Sequence, residues 1–580
     1  MSEKKTKELP NEVRMLLAFG LMGIILVATP FVYRKLGLQP EEPAQIVDPK
    51  ISDPKTGDKN GVSPAAPKPA SSPASSTTPV SAPGGQPAAS IAGAATEESF
   101  TLDTSVYHVE FSNQGAVIRS WTLKKFKDSA GKPLELVNRQ GTPKSGYPLG
   151  IYLRPGQPQP NPSLNQVLWR AHPSSDGLSI QYEFSDGHLA AKKSVSFQKD
   201  SYFVQVSSEV MLEGAGLPHL IQWRGGFGDL AVTNAASHLA FIHYDSDKKK
   251  LISDAEKEAK NGPVNNEGRF SFAGLEDQYF TAAFLPQEND TTQTTLFSDS
   301  VTTAFNKSEE KFPGVAVGGG PRNQMGFYVG PKDLEGLKAV NPKLENVIDW
   351  GIFGFIAKPL FLILEWANRA AVHNYGWAII LVTVFINIAM FPLKLTNLKS
   401  MRKMQVIQPD LAKLNEKYKG IGMKDPRAAQ KQQEMMDLYK KHGVNPMGGC
   451  IPLLVQLPFL WGFYKVLSVA IEMRHAEWLW VTDLSQPETI AIRMLPLIMI
   501  ATSFLLQKMT PMAPGGDPSQ QKIMQFMPLM YGFLFWSASS GLVLYWLTGN
   551  VVGIAQQWFF NKTVAPVAQT AVAKDGRKKS

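Results

Sequence analysis

Residues 376–392, GWAIILVTVFINIAMFP, constrain this chain most strongly. They hold no charge, and a helix of about 17–25 apolar residues suffices to cross a bilayer. One polar residue, Asn387, interrupts their apolar middle. A basic segment with helical patterning follows, and then a second apolar run opened by NPMGGCIPLL.

With 580 residues the chain exceeds one ordinary domain. Residues 40–99 are almost free of large apolar side chains, whereas 345–560 are dense in Phe, Trp, Leu, Ile and Met. That contrast combines a soluble part with a membrane part. The net charge of +9 clusters beside the apolar runs. It therefore points to topology signals and contact with anionic lipid or RNA at the bilayer surface, not to reading of a specific nucleic acid sequence. The single cysteine, Cys450, excludes a disulfide within the chain.

In chain order, Lys4, Lys5, Lys7 and Arg14 precede an apolar run from Met15 to Tyr33. This predicts a signal-anchor over 1–35 with a cytoplasmic N-terminus. A cleaved signal peptide is the rival reading, and Arg34 and Lys35 oppose the orientation. Residues 36–99, rich in Pro, Ala and Ser, read as a disordered linker. Short alternating segments then predict an all-β sandwich over 100–343, for example SVYHVEFS at 105–112 and YFVQVSSEV at 202–210. Turn signals such as Ser185-Asp186-Gly187 separate them, and Lys248 to Lys260 reads as an exposed helix or loop. No chemistry emerges there. His238 and His243 lack further metal ligands, and Gly318-Gly319-Gly320-Pro321 lacks the Lys of a phosphate loop. No metal or cofactor is expected.

Residues 344–372 alternate apolar side chains with Lys358, Glu365 and Arg369, predicting an amphipathic helix lying in the interface, with a tilted span as the alternative. Five more apolar runs follow, at 376–395, 451–471, 490–507, 523–537 and 541–560. With the first run they predict six transmembrane helices, four of them within 450–562. Twelve Lys and Arg against five acids between Lys394 and Lys441, and a basic tail over 563–580, place these segments in the cytoplasm. The 472–489 loop, with one Arg against four acids, lies outside. Residues 396–449 predict a basic helical hairpin kinked at Pro409. Its Arg402, Lys403, Met404, Lys413, Met435 and Met436 suit docking of varied apolar chains, ribosomes or anionic lipid, or else form a solvated face and the hairpin's own packing.

The stretches GWAI (376–379), QPDLAKL (408–414), VNPMGGCIPLLVQLPF (444–459), QKIMQFMPLM (521–530) and SGLVLYW (540–546) resemble the YidC family of membrane protein insertases. The resemblance covers about 344–562, and 100–343 is similar, more weakly, to the family's periplasmic domain. It implies an α-helical membrane bundle with a five-helix insertase core and a periplasmic β-supersandwich. It also implies an insertase and chaperone of the bacterial inner membrane, not a bond-making enzyme, that serves nascent membrane proteins alone or beside the Sec translocon. Contacts with the ribosome and the signal-recognition-particle receptor are implied likewise. The substrate's polar tail would enter a hydrophilic groove lined by Thr383, Asn387, Gln456, Tyr464 and Lys465. Most members carry an arginine where this chain has Asn387. Lys465 is then expected either to supply the missing charge or to snorkel outward toward Glu472. A transporter or channel is the alternative, but it calls for paired ionisable residues or inverted repeats that the spans lack.

Overall fold

The computed structural model describes residues 91–563, apart from 129–130, 231–237, 288–289, 303–308, 419–424, 426, 444–450, 491 and 511–517. The expected signal-anchor, most of the linker, Cys450 and the basic tail lie outside the described residues. The chain divides into two units, residues 1–86 with 517–524 and residues 87–516 with 525–580. All contacts below lie within the second.

Antiparallel strands build the first half. Segments with β-branched and aromatic residues at every second position bury one face and expose the other. Ser179–Ser185, Leu189–Phe197 and Phe203–Leu212 pair in order and continue through Arg322–Pro331, Phe280–Leu285, Phe270–Glu276 and Ala240–Asp245 into one large sheet. A five-stranded sheet centred on Glu309–Gly318 and a four-stranded sheet from Ser99–Asp103 to Pro133–Glu135 complete the sandwich. The shared core stacks Phe284 on Phe327 at 4.1 Å and sets Trp121 against Trp223 at 5.8 Å. Residues before Ser99 already belong to it, since Ala92 pairs with Ser185 through both backbone bonds. The lysine-rich 248–260 segment contains the edge strand Lys250–Asp254 and a 3-10 turn, Glu256–Ala259. Charged side chains on an edge discourage pairing with other chains, so a lysine run there is compatible with a strand. The run 318–321 is a turn, with Gly318 and Gly319 at φ +146° and +121°.

The helices follow. Leu334–Val340 (α1) is capped by Asp333 and Gly354–Ala367 (α2) contains Pro359. Then come Tyr375–Ala389 (α3), Phe391–Val406 (α4), Gln408–Lys417 (α5) and Arg427–Lys441 (α6). Ile451–Val469 (α7), Met494–Met509 (α8), Pro518–Phe535 (α9) and Ser540–Thr563 (α10) end the described chain. Among the described residues no single helix is both long and apolar enough to cross a membrane. The pair Gly354–Val372 and Tyr375–Ala389, bent by 114°, passes only together. The expected six spans are therefore not delimited by this measure. The reasons are local: the 376–395 run breaks at Met390, where α3 ends, and α10 has the length, about 36 Å at the helical rise, but carries Asn550, Gln556, Gln557 and Asn561.

α2 has two apolar faces. Leu360, Phe361 and Leu364 are buried, whereas Phe355, Leu362 and Trp366 are exposed. Charges on α2 and in the helical turn Asn368–Val372 after it pair with acids: Lys358 meets Glu345 at 2.9 Å, and Arg369 meets Glu335 at 3.2 Å and Glu365 at 2.5 Å.

One buried ion pair fastens the sandwich to the helices. Arg474, in the loop after α7, donates to Asp229 at 2.6 Å and to the Lys127 carbonyl at 2.7 Å, and its guanidinium lies 5.5 Å from the Tyr279 ring. The side chains of Arg474 and Asp229 are only 7% and 4% exposed. Gln278 adds a bond to the Ser468 carbonyl. Losing one member of a buried pair costs about 3–5 kcal/mol, because the other charge is left dry and unpaired. Asp229→Ala should therefore lower stability by about that amount in a denaturant titration of the purified protein, with Asp229→Leu/Arg474→Met recovering much of the loss. A cost for Asp229→Ala near zero would show that the pair carries no load.

A second test concerns pH. His219 is fully buried, with Nε2 2.7 Å from Ser208 Oγ and 3.1 Å from Asn323 Nδ2. Burial holds it down to about 4. Its neutral form is thus favoured by folding, and that contribution is complete above the ordinary histidine pKa, about 6.5, and lost as pH falls toward 4. Sandwich stability should fall between pH 6.5 and 4. His219→Gln should flatten that slope, and an unchanged slope would exclude His219 as its source.

Candidate functional site

The site is built on α3. Its N-cap Asn374 accepts from Trp377 N at 3.2 Å. Gly376 is required by close approach: a Cβ there would collide with the Trp478 ring. One face of the helix, Ala378, Ile379 and Val382, is buried against α2 and α10 neighbours, while Trp377, Leu381, Phe385 and Ile388 form an exposed apolar stripe. Exposed Trp461 and Tyr464 on α7, with rings 5.9 Å apart, and Phe526, Leu529, Phe533 and Leu534 on α9 extend the apolar surface. Exposed apolar surface on this scale marks contact with a membrane or a protein partner.

Two polar residues lie on the buried side of α3. Thr383 is fully buried and donates to the Ile379 carbonyl at 2.6 Å. Asn387, one turn on and 7% exposed, donates from Nδ2 to the Thr383 carbonyl at 2.8 Å. Its Oδ1 accepts from Lys394 Nζ at 2.7 Å. α3 stops two residues later, which leaves the Asn387 carbonyl among the last four without an intrahelical partner. Gln556 of α10 meets it with Nε2 at 3.0 Å. Lys394 reaches back from the first turn of α4 to Gln556 Oε1 at 3.4 Å, at the helix C-terminus that favours cations. Three helices thus converge on one polar node inside an otherwise apolar bundle. A second polar contact joins α8 to α10, where Asn550 Nδ2 donates to Ser503 Oγ at 2.7 Å.

Residues 99–363 match the sequence model described as YidC periplasmic domain, and residues 366–567 match 60Kd inner membrane protein. The membrane protein insertase YidC of Syntrophus aciditrophicus is 35% identical over 532 residues, covering 86% of this chain and 92% of the relative. The chain belongs to the YidC family of membrane protein insertases. The YidC of Maridesulfovibrio salexigens is 30% identical over 580 residues, covering 95% of this chain and 99% of its own. The crystal structure "Active YidC insertase crystal structure with the first transmembrane domain resolved" aligns at 18% identity and TM-score 0.34, covering 80% of this chain and 93% of its own. Both sequence models and these relatives make the chain an inner-membrane protein with a periplasmic domain, whose family work is membrane protein insertion.

The expected groove residues fall in different places. Thr383 and Asn387 stand together, as their spacing requires. Gln456 on α7 lies near the Tyr545 side chain of α10. Tyr464 faces outward beside Trp461. Lys465 does not join Asn387; its ammonium pairs with Asp349, ahead of α2, and its stem lies against Gly351. Lysine on the last turns of α7 reaches toward the polar end of the helix, and its partner is Asp349, not Glu472. Lys394 and Gln556 were missed. Only the presence of a cation seven residues after Asn387 hinted at the first, and nothing in the sequence pointed to the second.

In the basic hairpin, Pro409 sits in the first turn of α5, and the break falls at Ile407. Met404, Ile407, Leu411 and Tyr439 form a small core that Met435 covers. Arg402 lies over the Phe560 ring at 4.8 Å. Lys403, Lys413 and Met436 are exposed. Two of the three methionines proposed for docking therefore pack the hairpin. Met404→Asp, which buries an unpaired charge, should make 396–441 sensitive to protease in membrane vesicles, and Met436→Asp should not. Equal protection of both variants would contradict this core.

Proposed function

We propose that this chain inserts nascent membrane proteins by holding a client's hydrophilic tail at the Thr383–Asn387–Lys394–Gln556 node while its apolar segment moves along the exposed faces of α3, α7 and α9. The observation that carries this is the adjacency on α3 of a buried polar node and an exposed apolar stripe: Asn387 is 7% exposed, its neighbour Ile388 61%. Moving an unsatisfied polar group through hydrocarbon costs several kcal/mol. Hydrogen-bonding side chains part-way across the bundle shorten that path, and burial of the client's own apolar segment supplies the driving force. No phosphate-binding loop occurs in the sequence, in keeping with insertion that consumes no nucleotide and forms no bond.

The charge distribution supports six spans with both termini in the cytoplasm. The basic α4–α6 segment is then the surface offered to the ribosome, the signal-recognition-particle receptor and the Sec translocon, with exposed Lys403, Lys413 and Met436 upon it. Family membership does not favour a transporter or channel.

Depletion of the protein from cells should leave single-span test proteins with short tails uninserted, scored by protease protection of the tail. Undiminished insertion after depletion would contradict the reading.

A further inference from the structure

Arg493 stands directly before α8, beside the turn that joins α9 to α10. Its Nη1 donates to the Trp536 carbonyl, and its guanidinium lies 5.8 Å from the Trp536 ring. This is the periplasmic end of the bundle. Ser540 N and Gly541 N, at the start of α10, donate to the Gln486 and Leu484 carbonyls at 2.8 Å and 2.9 Å, in the loop after α7. That loop also holds the sandwich, the matched periplasmic domain, through Arg474 and Asp229. Among the described residues Arg493 makes no ion pair and no hydrogen bond besides that to Trp536. Glu488, the acid that meets the start of α8, has its two oxygens engaged by Trp480 Nε1 and Leu495 N. A guanidinium carries five N–H donors in a fork that matches phosphate, so most of this one is free for an acceptor. Exposed apolar side chains flank it: Ile492, Met494 and Leu497 on the α8 side, Phe533 and Leu534 on the last turn of α9. The two helices abut just inward of it, where a Cβ on Gly532 would collide with Ile500.

We propose that Arg493 and Trp536 form a binding site for an anionic phospholipid of the periplasmic leaflet, with the guanidinium on the phosphodiester and Leu497 and Phe533 against the acyl chain. A soluble anion would satisfy the guanidinium but leave the apolar rim in water, whereas an anion joined to hydrocarbon meets both. An anionic headgroup is favoured over a zwitterionic one because its phosphodiester has no ammonium of its own to compete with Arg493. Tryptophan is at home at this depth, with its ring among headgroups. The site holds the ends of α8 and α9 at the level of the lipid phosphates. It stands apart from the Asn387 node and does not depend on the insertase reading, only on the inner-membrane placement.

The test reconstitutes the full-length protein in vesicles of phosphatidylcholine. A trace of either phosphatidylglycerol or phosphatidylcholine carries a photoreactive group in its acyl chain, and adducts are mapped by peptide mass to 492–497 and 529–536. The readout is the ratio of labelling by the two probes, which a general folding defect does not shift. The wild type should favour the phosphatidylglycerol probe about fivefold, the worth of one basic residue near anionic lipid. Arg493→Lys should keep a preference, and Arg493→Gln should show none. Equal labelling of the wild type by both probes would overturn the proposal, as would a preference that survives in Arg493→Gln. A preference lost as fully in Arg493→Lys would trace the effect to guanidinium packing on Trp536 and would overturn it too. So would displacement of the phosphatidylglycerol probe by inorganic phosphate as readily as by unlabelled phosphatidylglycerol, which would mark a site for free anions.

Discussion

A polar group inside an apolar bundle must find partners, and this requirement organises the membrane half of the protein. Asn387 could be satisfied within α3 by the Thr383 carbonyl alone. Its own carbonyl could not, because α3 ends at Ala389. Gln556 arrives from α10 to meet it, and Lys394 arrives from α4 to occupy the remaining amide oxygen. The node therefore ties three helices at the point where the apolar run breaks. The helix end, the return of the chain into α4 and the placing of α10 are parts of one arrangement.

The same rule operates at the opposite end of the bundle with a different outcome. There the loop after α7 carries Arg474 into the sandwich, where Asp229 and two aromatic rings enclose it. The Arg474 Nη2 donates to Asp229 and to the Lys127 carbonyl. Glu488 likewise accepts from Trp480 and from Leu495 N, and Lys465 has Asp349. At this end Arg474 and Lys465 meet carboxylates, whereas at the node the Lys394 ammonium is bound by two amide oxygens.

The strands were legible because period-2 alternation and glycine turns act locally. SVYHVEFS and YFVQVSSEV became Tyr107–Ser112 and Phe203–Leu212 with small shifts at their ends. The lysine-rich edge strand was not legible, since its apolar Leu251 and Ile252 are too few to outweigh the flanking charges. In the membrane half, the polarity of Asn387 within its run was visible, and Thr383 one turn away shared its face. What the sequence could not convey was tertiary pairing. Gln556 stands 169 residues from Asn387, and Asp229 stands 245 from Arg474. Lys465 looked anomalous because its partner, Asp349, lies in a segment whose fold back onto α7 no local pattern encodes.

The central claim is that a client's polar tail and its apolar segment occupy different surfaces of α3 and its neighbours. Site-specific photo-crosslinking to a ribosome-bound, partly inserted single-span client tests it most directly, with the photoreactive residue at Gln556 or at Phe385. The account predicts that position 556 captures the tail and position 385 captures the apolar segment. Capture of the apolar segment at 556, or of the tail at 385, would contradict it.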